Sequence, residues 1–94
     1  MRLEWDAKKN RRNRAKHRVS FETAALVFDD AKAISWMDRI VEGEERWQTL
    51  GMAGEVVLLL VVHTFREEEH DERVRIISAR KATPRERKIY EEGD

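Results

Sequence analysis

The 94-residue chain has no cysteine, one proline and four glycines. Without cysteine there is no disulfide framework, no thiolate zinc site and no thiol nucleophile, and a reducing compartment is the natural expectation. No apolar run approaches the ~20 residues needed to cross a bilayer; the stretch from Val56 to Val62 is of strand length instead. Met1 is followed by charged and polar residues with no apolar h-region, which reads against a signal peptide and for a cytoplasmic protein. Also missing are a glycine-rich phosphate loop, a GxSxG elbow, an RNP-like aromatic pair, a GXXG loop and zinc-finger spacing. His17, His63 and His70 are too scattered to suggest a metal site.

What is present is charge. Charged residues make up 40% of the chain, with 19 Lys and Arg against 19 Asp and Glu, so the formal net charge is zero. That balance conceals a segregation. Basic residues crowd the segment from Arg2 to Arg18, while acids collect in GEE at 43–45 and REEEHDE at 66–72. The remaining Val, Leu, Ile, Trp and Phe suffice for one modest core, and residues 1–94 read as a single domain.

LEW at 3–5 is short enough for an edge strand, and Asp6 can cap the helix after it. From Ala7 to about His17 the residues favour helix, yet only Ala7 and Ala15 are apolar, so this helix belongs on a rim. Ser20 is a second N-cap; Phe21, Ala24, Ala25 and Phe28 then recur at helical spacing and pack on the core, with Asp29 and Asp30 as the stop. AISWM at 33–37 and GEERWQTLG at 43–51 read as strands, followed by a turn around 52–54. The Val56–Val62 run is apolar on both faces, as a covered central strand would be. REEEHDE makes a turn and RVRIISA, 73–79, returns as its partner. Thr83, Pro84 and Glu86 spell a capping box for a helix to about Glu92. The expected class is α+β: a small antiparallel sheet, N-terminal helices and a C-terminal helix.

In KKNRRNRAKHR many i,i+4 neighbours are both cationic, as with Lys8 and Arg12, a mildly destabilising pattern that an anionic partner would offset. Nucleic-acid phosphates and an acidic protein surface both fit; a solvated charged face is the plain alternative. RNA also permits chemistry without metal or covalent nucleophile. Its 2′-hydroxyl attacks the adjacent phosphodiester if a base takes the proton, cations hold the phosphorane and an acid protonates the leaving 5′-oxygen. Arginine suits the second role. Arg75 shares a strand face with Arg73, opposite Val74 and Ile76, and Arg80 lies just beyond that strand. His63 ends the central strand and is either a packed histidine or a proton-transfer group; His17 at a helix end is explained by the helix dipole alone. Tyr90 and the three tryptophans read as packing residues.

EWD at 4–6, Lys9, Asn13, KH at 16–17, VSFETA at 19–24, GEERW at 43–47, Gly51 and RIISARKATPRERKIYEE at 75–92 resemble the BrnT family of type II toxin–antitoxin toxins, in order over essentially the whole chain. The resemblance implies a RelE-like fold and a cofactor-free, metal-independent endoribonuclease that stops translation by cleaving RNA, including ribosome-associated mRNA. It also implies neutralisation by a BrnA-type antitoxin, with DNA bound only through the antitoxin complex. Carried onto this chain, it points to Lys9, Asn13 and His17, and to Arg75, Ser78, Arg80 and Glu86. Arg75 and Arg80 would clamp phosphate, with the base open between His17, His63 and a carboxylate such as Glu86. Arg12, Lys16, Lys81 and Arg85 would add RNA contacts. Relatives usually have glycine where Arg18 stands, which predicts a strained or differently closed turn here, and often tyrosine at His63. The alternative is a protein that binds nucleic acid or antitoxin without catalysis.

Overall fold

The computed structural model describes residues 1–93. Strand β1 (Arg2–Trp5) leads into helix α1 (Ala7–His17), helix α2 (Phe21–Ala25) and a 3-10 turn at Leu26–Asp29. Strands β2 (Ile34–Val41), β3 (Glu44–Ala53), β4 (Val57–Thr64), β5 (Arg66–Glu68) and β6 (Asp71–Lys81) follow, then helix α3 (Pro84–Glu92). One six-stranded sheet runs β1-β6-β4-β3-β2, with β5 folded back on the start of β6. The α+β class stands, but the sheet is mixed: β1 lies parallel to β6, with Arg2 opposite Arg73 and Trp5 opposite Ile76, while the other pairs are antiparallel. Helices α1 and α2, the 3-10 turn and β2 to β5 all intervene before β6, ample chain for a parallel crossover.

Local chemistry sets the element ends. Asp6 Oδ1 accepts from the N–H groups of Lys8 and Lys9, and these bonds hold its carboxyl below the usual range. Ser20 caps α2 through Thr23 N. Only five residues of that segment are α-helical before it tightens to 3-10. Thr83 and Glu86 complete the reciprocal capping box of α3. The turn after α1 closes with Arg18 at φ 59°, ψ 32°, its N–H bonded to Arg14 O; a side chain there adopts the left-handed conformation that glycine would take freely.

Strand β4 is covered on both sides. Leu59 and Val61 join Phe21, Ala24, Val27, Ile76 and Ala79 beneath α2 and the 3-10 turn. Leu58 and Leu60 join Leu50 on the other face, under Trp36, Ala82 and Tyr90. Gly51 lets the 3-10 turn approach β3: a Cβ there would sit 2.8 Å from Val27 Cγ1 and 3.0 Å from Ala33 Cβ. Asp30 ties three segments together, accepting from Lys32 N at 2.9 Å, Met52 N at 2.8 Å and Tyr90 Oη at 2.7 Å. Burial pushes the Asp30 carboxyl up, but these bonds outweigh it and leave it lowered. Bonded to that carboxylate, the Tyr90 phenol is pushed up to about 12, so it stays protonated and caps the second cluster as a packing residue.

Candidate functional site

Helix α1 does not pack through an apolar stripe. It is fastened to the edge of β6, beyond the last β1 pair, by one polar side chain. Buried Asn13 donates from Nδ2 to Ala79 O at 2.8 Å and to Val19 O at 2.9 Å, and accepts from Ala79 N at 3.1 Å. Its amide thus stands in for a neighbouring strand, which is why a helix with almost no hydrophobic residues keeps its place. Asn10 adds a bond from Phe21 N at 2.9 Å and another to Glu22 at 2.9 Å.

That seating turns Lys9, Arg12, Lys16 and His17 toward the β6 edge, since positions 9, 12, 13, 16 and 17 share one helical face. With Ile77 and Ser78 they line an open hollow of about 220 Å³. His17 is half-buried at its wall, while Lys9, Arg12 and Lys16 are exposed. The sequence expectation brought Lys9, Arg12, Asn13, Lys16 and His17 together, and the structure does place them side by side. Asn13, however, spends both ends of its amide on backbone.

The arginines of β6 lie on the adjoining face because of an irregularity. Val62 pairs with Ser78 and His63 with Ile76, so Ile77 is an extra residue, a β-bulge. Strict alternation would put residues 75 and 80 on opposite faces; the bulge restores both, with Ser78, to the face away from α2. Arg75 Nη2 donates to Glu44 Oε1 at 2.9 Å, and Arg46 Nη2 approaches the same oxygen at 3.7 Å. Arg80 makes a two-pronged pair with Glu86, Nη1 to Oε1 and Nη2 to Oε2 both at 2.9 Å, and also donates to Lys81 O at 3.3 Å. The Arg80 bonds hold the Glu86 carboxyl below its ordinary range, and Glu86 in turn raises Arg80. The two guanidinium groups are therefore anchored by carboxylates at opposite ends of roughly 15 Å of strand. They do not converge on one phosphate-sized pocket. Each side chain is still 39% exposed. Lys81 and Arg85 are exposed beyond them.

His63 lies on the other side of the sheet. It pairs with Trp47 and Ile76, is 3% exposed, and meets the Phe28 ring edge-on at 5.0 Å. Its Nδ1 donates to Thr64 O at 2.8 Å, which makes Nε2 the acceptor for Thr49 Oγ1 at 2.7 Å; Ser35 Oγ donates to Thr49 Oγ1 at 2.7 Å. Burial lowers its pKa, keeping the imidazole neutral. Neither Arg75 nor Arg80 shares a face with it. Glu44 was not singled out from sequence, although Glu44 and Arg46 alternate in phase with Leu50 and Met52, a pattern that places them on the arginine face. Among the described residues no group of three or more His, Cys, Asp or Glu is placed to hold a metal ion.

Residues 5–86 match the family described as "Ribonuclease toxin, BrnT, of type II toxin-antitoxin system". The crystal structure of the Brucella abortus ribonuclease toxin, BrnT, superposes with a TM-score of 0.67 at 24% identity, covering 88% of this chain and 97% of that one. That likeness speaks for the fold. No curated protein matches. No helix among the described residues is long and apolar enough to cross a membrane. With the motifs spread from β1 to α3 and the family match running through nearly all of them, the chain belongs to the BrnT toxin family.

Proposed function

We propose that this protein is a metal-independent endoribonuclease toxin that inhibits translation in the cytoplasm and is neutralised by a BrnA-type antitoxin. The observation that carries the reading is the α1–β6 hollow, where Lys9, Arg12 and Lys16 stand around His17 and Ser78. Lysine and arginine there hold a phosphodiester and offset the charge that builds on the phosphorane. His17 is the imidazole in reach of such a phosphate; His63, buried behind the sheet, serves the fold. As the 2′-oxygen bonds to phosphorus its proton passes to His17, the bond to the 5′-oxygen breaks, that oxygen takes a proton from water and leaves as a 5′-hydroxyl, and a 2′,3′-cyclic phosphate remains. Arg75 and Arg80, paired but partly exposed, extend the basic track along β6 as outlying backbone contacts, with Lys81 and Arg85 beyond. The antitoxin would cover this basic surface, and DNA would be bound only through the antitoxin in the complex.

The test is cleavage of RNA in EDTA with detection of 2′,3′-cyclic phosphate ends. His17→Ala should slow cleavage by roughly 10²–10⁴-fold, whereas His63→Gln should still cleave at a temperature where it is folded. Equal cleavage by wild type and His17→Ala would refute the assignment. The carboxylate pairing of both arginines favours a second reading, a protein that binds RNA or antitoxin without cutting; salt-sensitive binding with no cyclic ends would select it.

A further inference from the structure

The helix-covered side of the sheet carries a second surface, opposite in character to the basic one. Below the 3-10 turn a cavity of about 210 Å³ opens between Met1, Phe28, Trp47, Phe65 and Val74, with His63 in its wall. Trp47 and Phe65 pack at 5.7 Å as one side of its mouth. Met37 pairs with Trp47 across the β2–β3 ladder and Ile40 pairs with Glu45, so both aliphatic side chains stand on this same face. They are 46% and 59% exposed, and Met1 is 56% exposed. Large apolar side chains grouped around an apolar cavity mark an interaction surface more often than chance exposure does.

The rim is acidic. Phe65 is shared with a hollow lined by Glu44, Glu45, Arg66 and Glu67, and Met1 with one lined by Glu67, Glu68, His70, Asp71 and Glu72, so carboxylates outnumber the single arginine. Some of these carboxylates are already engaged. Asp71 holds the Met1 amino group at 3.0 Å, Glu68 faces Arg73 at 3.2 Å, and Glu44 holds Arg75. Glu45 accepts only a neutral donor, the Trp47 indole N–H at 3.0 Å. Glu67 and Glu72 are exposed beside it. Among the described residues no ion pair engages Glu45, Glu67 or Glu72, so the apolar mouth keeps a net negative fringe with Arg66 beside it.

We propose that this groove docks a basic peptide segment, inserting one bulky aliphatic or aromatic side chain into the cavity while flanking lysines or arginines meet Glu45, Glu67 and Glu72. The cavity volume fits a single large side chain, and the charge of the rim selects the sign of its neighbours. A second copy of this chain fits less well. The basic α1 offers only Ala7 and Ala15 as apolar groups. Docking the exposed Ile89 of α3 would be a head-to-tail contact, which builds rings or filaments rather than a two-fold dimer.

The experiment uses the whole protein and three synthetic hexapeptides, KKLWKK, KKSSKK and EELWEE, followed by amide and indole NMR shifts. KKLWKK should shift the Trp47 indole, Phe65 and the strand around His63, and bind at least roughly tenfold more tightly than either control. Glu67→Lys with Glu72→Lys, both exposed and so compatible with the fold, should weaken KKLWKK by about tenfold while leaving RNA cleavage and melting temperature in place. Shifts confined to other surfaces, or equal binding of EELWEE, would overturn the proposal. So would self-association, seen by sedimentation, that Ile40→Asp abolishes and KKLWKK does not compete with, since the occupant would then be a second copy.

Discussion

Replacing Asn13 by alanine distinguishes a residue that holds the fold from one that holds RNA. The side chain makes three hydrogen bonds to buried backbone, two given and one received. Truncation strands Ala79 N–H, Ala79 O and Val19 O beneath α1, and each such group costs about 1–3 kcal/mol unless water reaches it. Partial rescue by water at the edge of the sheet brings the sum to about 3–5 kcal/mol, against a total stability of only about 5–14 kcal/mol for a chain this size. At about 4–8 °C per kcal/mol, the melting temperature should fall by more than 10 °C. Asn13→Asp keeps an acceptor for Ala79 N–H but turns a carboxylate toward two carbonyl oxygens, so it should be no better than alanine. Calorimetry on both variants, paired with RNA cleavage well below their melting points, separates the roles. A melting temperature within two or three degrees of wild type, roughly half a kcal/mol, together with lost cleavage would refute the structural argument and return Asn13 to the RNA surface.

Arg18→Gly should stabilise the protein by about 0.5–1 kcal/mol, because relief of the left-handed strain exceeds the entropy glycine adds to the unfolded chain; urea titration reads it, and a destabilised variant would contradict the strain. His63 makes stability fall in mild acid. Its folded pKa lies below the unfolded value near 6.5, so above that pH both states are neutral, and as pH falls below it the unfolded chain takes up a proton the folded one resists. Between pH 7.5 and 5.5 the loss is bounded at about 1.4 kcal/mol, and His63→Gln should lack it; identical pH profiles for the two proteins would rule it out. Tyr90→Phe removes the bond to Asp30 and should cost about 1–2 kcal/mol while speeding amide exchange across α3, and unchanged exchange in α3 would show that the helix is held by other contacts.

The sequence made much of this fold legible because its signals are local. The capping box at Thr83, the Asp6 and Ser20 caps and the doubly apolar β4 each depend on residues within a few positions of one another. The departure from glycine at Arg18 correctly marked a backbone under strain. Strand ends were less legible: β2 runs on to Val41 and β6 begins at Asp71, because pairing with a long neighbour carries polar residues into a ladder that propensity alone would leave as turn. The parallel pairing of β1 is invisible locally, since Leu3 and Trp5 look the same beside either kind of neighbour. At the site, the helical face from Lys9 to His17 was readable from spacing. The Glu44–Arg75 pair was not, because it joins residues 31 apart through a register that includes a bulge.

That bulge gives β6 one position at which a residue can be spared. Deleting Ile77 alone would leave His63 opposite Ile76 and Val62 opposite Ser78, now as consecutive pairs, so Arg75 and Arg80 would keep their shared face. Deleting Ala79 instead would carry Ser78 or Arg80 to the inward position opposite Val61. A deletion scan of β6 should therefore show a milder drop in soluble protein at Ile77 than at Ala79.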